Sequence, residues 1–172
     1  MASIPETYQT PHGLTPELRA AVLEQSSVTL GTTNPDGSPH LTLVLFSMSE
    51  TNRMYIPTPS STRKLKNIRA NPLVTALARI DDGWASCTGP ARIIEGPEAQ
   101  TLNASVRERL FTPSGLETMG RFLQAHEDTT IEISPTKWLS WRFDPINAWF
   151  AEQGINPDDY PEPSMKDLSR PD

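Results

Sequence analysis

The residues with the most chemical potential lie between Ile56 and Ile80, IPTPSSTRKLKNIRANPLVTALARI. No acidic residue occurs from Thr51 to Ile80, whereas Arg53, Arg63, Lys64, Lys66, Arg69 and Arg79 all do, in a chain of formal net charge -6. Positive charge is therefore gathered locally. The segment reads as strand, Ser/Thr-rich turn, short basic helix, Asn-Pro stop and strand. Ser60, Ser61 or Thr62 can cap the helix, and the N–H groups of its first turn open beside Arg63 and Lys64, which makes an anion site. Each charge-assisted hydrogen bond there contributes roughly 1.5 to 3 kcal/mol, so three or four would hold a phosphorylated cofactor. A plainer reading stands beside this one. Leu65 and Ile68 share an inward face flanked by Lys64 and Arg69, while Arg63, Lys66 and Asn67 look outward, and basic residues on a wetted helix commonly do no more than solubilise.

Other reactive groups are sparse. The chain contains no G-x-G-x-x-G, no G-x-x-x-x-G-K and no G-x-S-x-G, which leaves a Rossmann site, a P-loop and a hydrolase elbow without support. His12, His40 and His126 lack ligand spacing and there is one cysteine, so no metal site is expected. His40, at a strand start, reads as a surface or capping residue, and Cys87 as a small core residue with nothing nearby to lower its pKa. No catalytic side chain can be assigned. An enzyme built on this chain would take its reactivity from a cofactor.

The elements that must position the basic helix follow from punctuation and periodicity. Thr15-Pro16-Glu17 starts a helix that runs to about Gln25. Val28 to Thr32 and Pro39 to Met48 form a hairpin through the turn Asn34-Pro35-Asp36-Gly37. The second of these strands is apolar on both faces from Leu43 to Phe46, which implies burial on both sides, in a barrel or under a partner subunit. Met54 to Ile56 and Leu73 to Ile80 flank the basic helix, and Asp81-Asp82-Gly83 turns into a long strand from Trp84 to Glu95 with a bend or edge at Gly89-Pro90. Helices are expected over Pro97 to Leu110 and Ser114 to Gln124, then strands over Thr129 to Ser134 and Lys137 to Phe143. Short connections between successive strands indicate an antiparallel barrel or sandwich.

At 172 residues the chain reads as a single domain, 1–143, preceded by a polar arm over Met1 to Gly13 and followed by an acidic, Pro-rich tail, 144–172, that is mobile or lies across another subunit. The acidic balance disfavours a general nucleic-acid binder. No apolar run approaches ~20 residues, so no membrane span is expected. The start lacks a secretion signal, and one cysteine suits a reducing cytoplasm.

Four pieces of the chain resemble the pyridoxamine 5′-phosphate oxidase-like split barrels, in particular their flavin/deazaflavin oxidoreductase branch. They are Asp36-Gly37-Ser38-Pro39-His40, Thr62-Arg63-Lys64 with Asn67, Arg69-Ala70-Asn71-Pro72-Leu73-Val74, and Asp82-Gly83-Trp84 followed by Thr88-Gly89-Pro90-Ala91. The likeness runs from about Val28 to Phe143. It implies a homodimer of six-stranded antiparallel split β-barrels with peripheral helices and two cofactor sites across the interface. On that resemblance Arg63 and Lys64 match the phosphate-binding pair, with Thr62 beside them, and Pro57 and Thr58 border the phosphate with their backbone. Thr42 and Val44 match positions lining the ring, Trp84 a long-strand position facing the cofactor, and Trp141 an aromatic from the other subunit. Core or interface packing is the alternative for both tryptophans.

One departure bears on the cofactor. Oxidases of this group carry an Arg and a Lys on the second strand, where this chain has Thr42 and Ser47. Vitamin B6 is therefore a poor substrate candidate, and the missing cations together with the Asp81-Asp82-Gly83-Trp84 turn look more like the deazaflavin branch, favouring F420 over FMN. The resemblance implies an oxidoreductase moving a hydride between F420 or FMN and a small unsaturated or conjugated substrate. The alternatives are a non-catalytic flavin- or haem-binding split barrel and a structural dimer whose cofactor site has decayed.

Overall fold

The structure is a computed structural model describing residues 13–81, 83–142 and 144–155, with nothing said of the side chains of 144–147. Most of the expected arm, Asp82 of the expected turn, Phe143 and the tail beyond Ile155 lie outside the described residues. Two compact units share the chain: a larger one, Ser26–Leu77 with Cys87–Lys137, and a smaller one, Met1–Gln25 with Ala78–Ser86 and Trp138–Asp172.

The strands are β1 (Ser27–Thr33), β2 (Pro39–Leu45), β3 (Ser47–Met48), β4 (Met54–Thr58), β5 (Leu73–Ile80), β6 (Gly83–Glu95), β7 (Thr129–Ile133) and β8 (Lys137–Arg142). They form one sheet in the order β2-β1-β5-β6-β7-β4-β3, with β8 pairing β6. The ladders β1–β2, β1–β5, β3–β4, β4–β7 and β6–β7 are antiparallel. Eight strands replace the expected six. Pro39 to Met48 is broken at fully buried Phe46, whose carbonyl accepts from the Arg109 guanidinium instead of from a ladder. The strand expected from Lys137 forms as β8, and Gly83 lets it close in: a Cβ there would stand 1.9 Å from the Trp141 carbonyl oxygen.

In the larger unit the inward positions Val28, Leu30, Val44, Met54, Ile56, Val74, Ala76, Ile131 and Ile133 are buried. A fully buried Leu or Ile of this kind stabilises by roughly 1.5–3 kcal/mol. Helix α2 (Arg63–Ala70) packs on β1, and α3 (Gly96–Leu110) on β4 and β7. Asn103 of α3, fully buried, ties that packing down by donating to the carbonyls of Glu127 and Thr129 and accepting from the Thr130 hydroxyl at 2.6 Å. The expected helix from Ser114 is a composite: α4 (Pro113–Gly115), a π-turn (Leu116–Gly120) and α5 (Arg121–His126).

The hairpin turn forms as expected, with Gly37 at φ 84° and its N–H donating to the Asn34 carbonyl. Cys87 is buried as expected, which pushes its thiol up to about 12. In the smaller unit, helix α1 (Pro16–Glu24) is capped by Thr15, whose hydroxyl accepts from the Leu18 N–H at 3.2 Å. Residues Asp144–Glu152, the start of the expected acidic tail, form helix α6.

The outward face of β2 is left uncovered by the chain itself. Leu41 and Leu43 are 65% and 74% exposed, and Leu73 and Leu77 of β5 are 55% and 38% exposed. Register aligns Leu43 and Leu77 across Thr29, and Leu41 and Thr75 across Gly31. The result is one open apolar face on the larger unit.

Candidate functional site

Five of the expected site residues come together where β4 passes into α2. Pro57 and Thr58 are buried at the end of β4, opposite Thr130 and Thr129 of β7. The Thr62 N–H donates to the Pro59 carbonyl at 3.3 Å, which closes the turn, and Thr62 takes the extended N-cap conformation. Its side chain makes no capping bond; it stands 3.4 Å from the Thr58 hydroxyl. With no acid in the first turn, the leading amides of α2 and the cations Arg63 and Lys64 form an uncompleted donor cluster.

Asn67 corrects the expected outward face of this helix. It is fully buried, and its amide donates to the Thr32 hydroxyl and the Asn34 carboxamide oxygen, each at 3.0 Å. Its Nδ2 is satisfied by Thr32 and Asn34, whereas its carboxamide oxygen is buried without a hydrogen-bond partner. Arg69 takes a separate role, pairing with Glu95 at 3.1 Å on the surface.

Carboxylates approach the same entrance, and reading the sequence did not single them out. The Ser60 N–H donates to Asp128 Oδ1 at 2.7 Å, and hydrogen bonds from Ser60 hold that carboxyl below its ordinary pKa. Glu127 is buried beside Arg107, at 3.3 Å. Burial raises its pKa, opposed first by Arg107 and then, weakly, by Lys64. Lys64 is half-buried, and desolvation lowers its pKa against the pull of Glu127. Asp36 is held low mainly by hydrogen bonds from Ser38, with a smaller contribution from Arg63. His-Glu-Asp-Thr-Thr entering a strand looks like any polar turn. Only the β4–β7 register brings it to the helix.

Thr42 and Val44 lie on the inward face of β2, opposite Leu30 and Val28. Val44 is buried, and the Thr42 hydroxyl is buried without a hydrogen-bond partner. Such an orphan costs about 1–3 kcal/mol unless something else completes it. Trp84 and Trp141 belong to the smaller unit, both half-buried on β6 and β8. The residues therefore fit a phosphate at α2 in the larger unit, with one unmet hydroxyl on β2.

An antiparallel curled sheet with peripheral helices, one of them entered through a cation-bearing strand-to-helix turn, is the architecture of a split barrel. The family model described as pyridoxamine 5′-phosphate oxidase matches residues 14–142, and the chain belongs to that family. Among solved structures it is similar to a conserved hypothetical protein of Mycobacterium tuberculosis, at 25% identity and TM-score 0.65 over 80% of this chain and 89% of that one. A protein described as an F420 reductase aligns at 22% identity and TM-score 0.56, over 72% and 98%. The haem storage protein HutZ of Vibrio cholerae aligns at 18% identity and TM-score 0.59, over 76% and 96%. The last two likenesses speak for the fold alone. No curated protein matches the chain.

Proposed function

We propose that this protein is an oxidoreductase that binds F420 or FMN and passes a hydride between the cofactor ring and a small unsaturated or conjugated substrate. The observation that carries it is the uncapped start of α2, with Arg63 and Lys64 on its first turn and the Thr58 and Thr62 hydroxyls beside it. Those groups would bind the cofactor phosphate. Thr42 and Val44 would form the wall against the ring, the Thr42 hydroxyl gaining the partner it lacks; Trp84, and Trp141 from the other subunit, are assigned to the cofactor by the resemblance alone. When bound, the deazaflavin or flavin supplies the hydride chemistry; the chain's residues orient it and exclude water.

The reading includes a homodimer closed over the Leu41, Leu43, Leu73 and Leu77 face, with cofactor sites at the subunit interface, and a single barrel domain of residues 1–143 followed by the acidic segment 144–172. Exposed leucines aligned across three strands support it. The reading also includes a cytoplasmic setting, which a single cysteine suits. Among the described residues no helix is long and apolar enough to cross a membrane.

The test is to reduce each cofactor, add the protein, and follow reoxidation with a panel of conjugated acceptors. Acceptor-dependent reoxidation supports the oxidoreductase. Tight binding without transfer to any acceptor supports the non-catalytic flavin or haem carrier, and no binding of either cofactor rejects both.

A further inference from the structure

The helices of the larger unit enclose a cleft whose lining includes no residue of β4 or α2. Gln100, Ala104, Arg107 and Glu108, spaced i, i+4, i+7 and i+8, fall on one face of α3. Leu116, Gly120 and Gln124, taken from the π-turn and α5, complete the lining of a space of about 240 Å³. A π-turn inserted between two α-helical pieces is a frequent mark of a functional site.

Arg107 gives this cleft its chemistry. It is only 5% exposed, and among the described residues its side chain makes one hydrogen bond, from Nη1 to Glu127 Oε2 at 3.3 Å. A guanidinium carries five N–H donors. None of its nitrogens is among the buried side-chain atoms sealed in without a partner, so the donors that miss Glu127 open into the cleft that Arg107 lines. A buried cation with unmet donors gains from any acceptor that reaches it.

The charges on the lining select that acceptor. Arg107 and Glu108 are the two charged residues lining the cleft, and Glu127 is paired to Arg107. A simple anion would meet two carboxylates, and a simple cation would meet the guanidinium. A ligand carrying both charges is matched at both ends. We infer that the cleft binds a small zwitterionic amino acid, its carboxylate on the free donors of Arg107, its ammonium on Glu108, and a short apolar side chain against Ala104, Leu116 and Gly120. Gln100 and Gln124, both exposed, supply amides at the rim. The volume lies below the ~300–1,000 Å³ of pockets for drug-sized ligands, which suits a ligand of this size.

The experiment titrates the full chain calorimetrically with L-valine, with isovalerate, which lacks the ammonium, and with isobutylamine, which lacks the carboxylate. Valine is expected to bind at least about tenfold more tightly than either, because each analogue forfeits a charge-assisted contact. The Gly120 amide resonance should shift as valine is added. Glu108→Gln, at an exposed position, should weaken valine at least about tenfold and leave isovalerate no weaker. Arg107→Lys keeps a cation beside Glu127 but gives up the planar fork, and should weaken valine and isovalerate alike. Melting temperatures show whether each variant is folded. If Arg107→Lys is not, Gly120→Ala replaces it: a Cβ there meets Leu116 Cδ2 at 3.4 Å, an ordinary contact, and takes space from the floor, so valine binding should fall severalfold. No binding of valine up to about 10 mM, isovalerate binding as tightly as valine, an unmoved Gly120 resonance, or unchanged valine affinity in folded Glu108→Gln would each overturn the assignment.

Discussion

Two charged clusters meet β7, one at each end, and they are built to opposite ends. At Glu132 a carboxylate only 3% exposed accepts from Arg53 at 2.8 Å and from Arg92 through two bonds of 2.7 and 3.0 Å. Both its oxygens are satisfied, and hydrogen bonding from Arg92 lowers its pKa. At the other end Glu127 is raised by burial, Lys64 is lowered by burial, and an uncapped helix start faces them. One cluster is complete within the chain. The other leaves the start of α2 without a side-chain cap, which is the feature on which the proposed phosphate site rests. Charge density alone would not have separated them; the tally of unmet hydrogen bonds does.

The largest effect that sharpens this contrast belongs to the open cluster. Arg63→Ala with Lys64→Ala is expected to weaken F420 or FMN binding by more than about tenfold with little change in melting temperature, read by fluorescence titration and calorimetry. Equal loss of stability and affinity would make the two clusters alike. Next is Asn67→Ala, which removes two buried hydrogen bonds anchoring α2 and is expected to cost about 2 kcal/mol in urea unfolding.

Glu132→Gln follows, at about 1–2 kcal/mol, because its arginines are 47% and 56% exposed and solvent screens the pairs. This variant should leave cofactor affinity untouched.

The clusters should also respond to pH with opposite sign. Glu132 has a depressed folded-state pKa, so its contribution is present above the ordinary glutamate value of about 4.3 and is lost as pH falls below it. Glu127 has an elevated one, so its contribution is full below about 4.3 and is lost as pH rises through the folded-state value. Unfolding of Glu132→Gln and Glu127→Gln against wild type from pH 3 to 7 measures the two slopes; slopes of one sign would contradict the contrast. The smallest effect is that of Thr42→Val, which removes the orphan hydroxyl. Apo stability should rise by about 1 kcal/mol, the low end of the orphan's cost, while cofactor affinity falls severalfold.

What was legible in the sequence was local. Thr15-Pro16 gave a capped helix, Asn34-Pro35-Asp36-Gly37 a hairpin, and the segment from Leu73 to Ile80 a strand. The turn from Pro57 to Lys64 was legible because hydroxyls, cations and a helix start are consecutive. What was not legible depended on residues far apart. Asn67 turned inward for Thr32, thirty-five positions away, and Asp128 reached Ser60 across sixty-eight. The break at Phe46 likewise required Arg109, from a helix not yet formed when the strand is read in order. Periodicity reports faces; it does not report which polar groups will find each other.

The central claim, that the start of α2 grips the cofactor phosphate, is tested most directly by the ³¹P NMR shift of bound F420, or of FMN if that is what binds. The account predicts a displaced resonance in wild type that returns to the free position when Lys64 and Arg63 are replaced by alanine. A bound cofactor whose phosphorus resonance is the same in wild type and in that variant would contradict it.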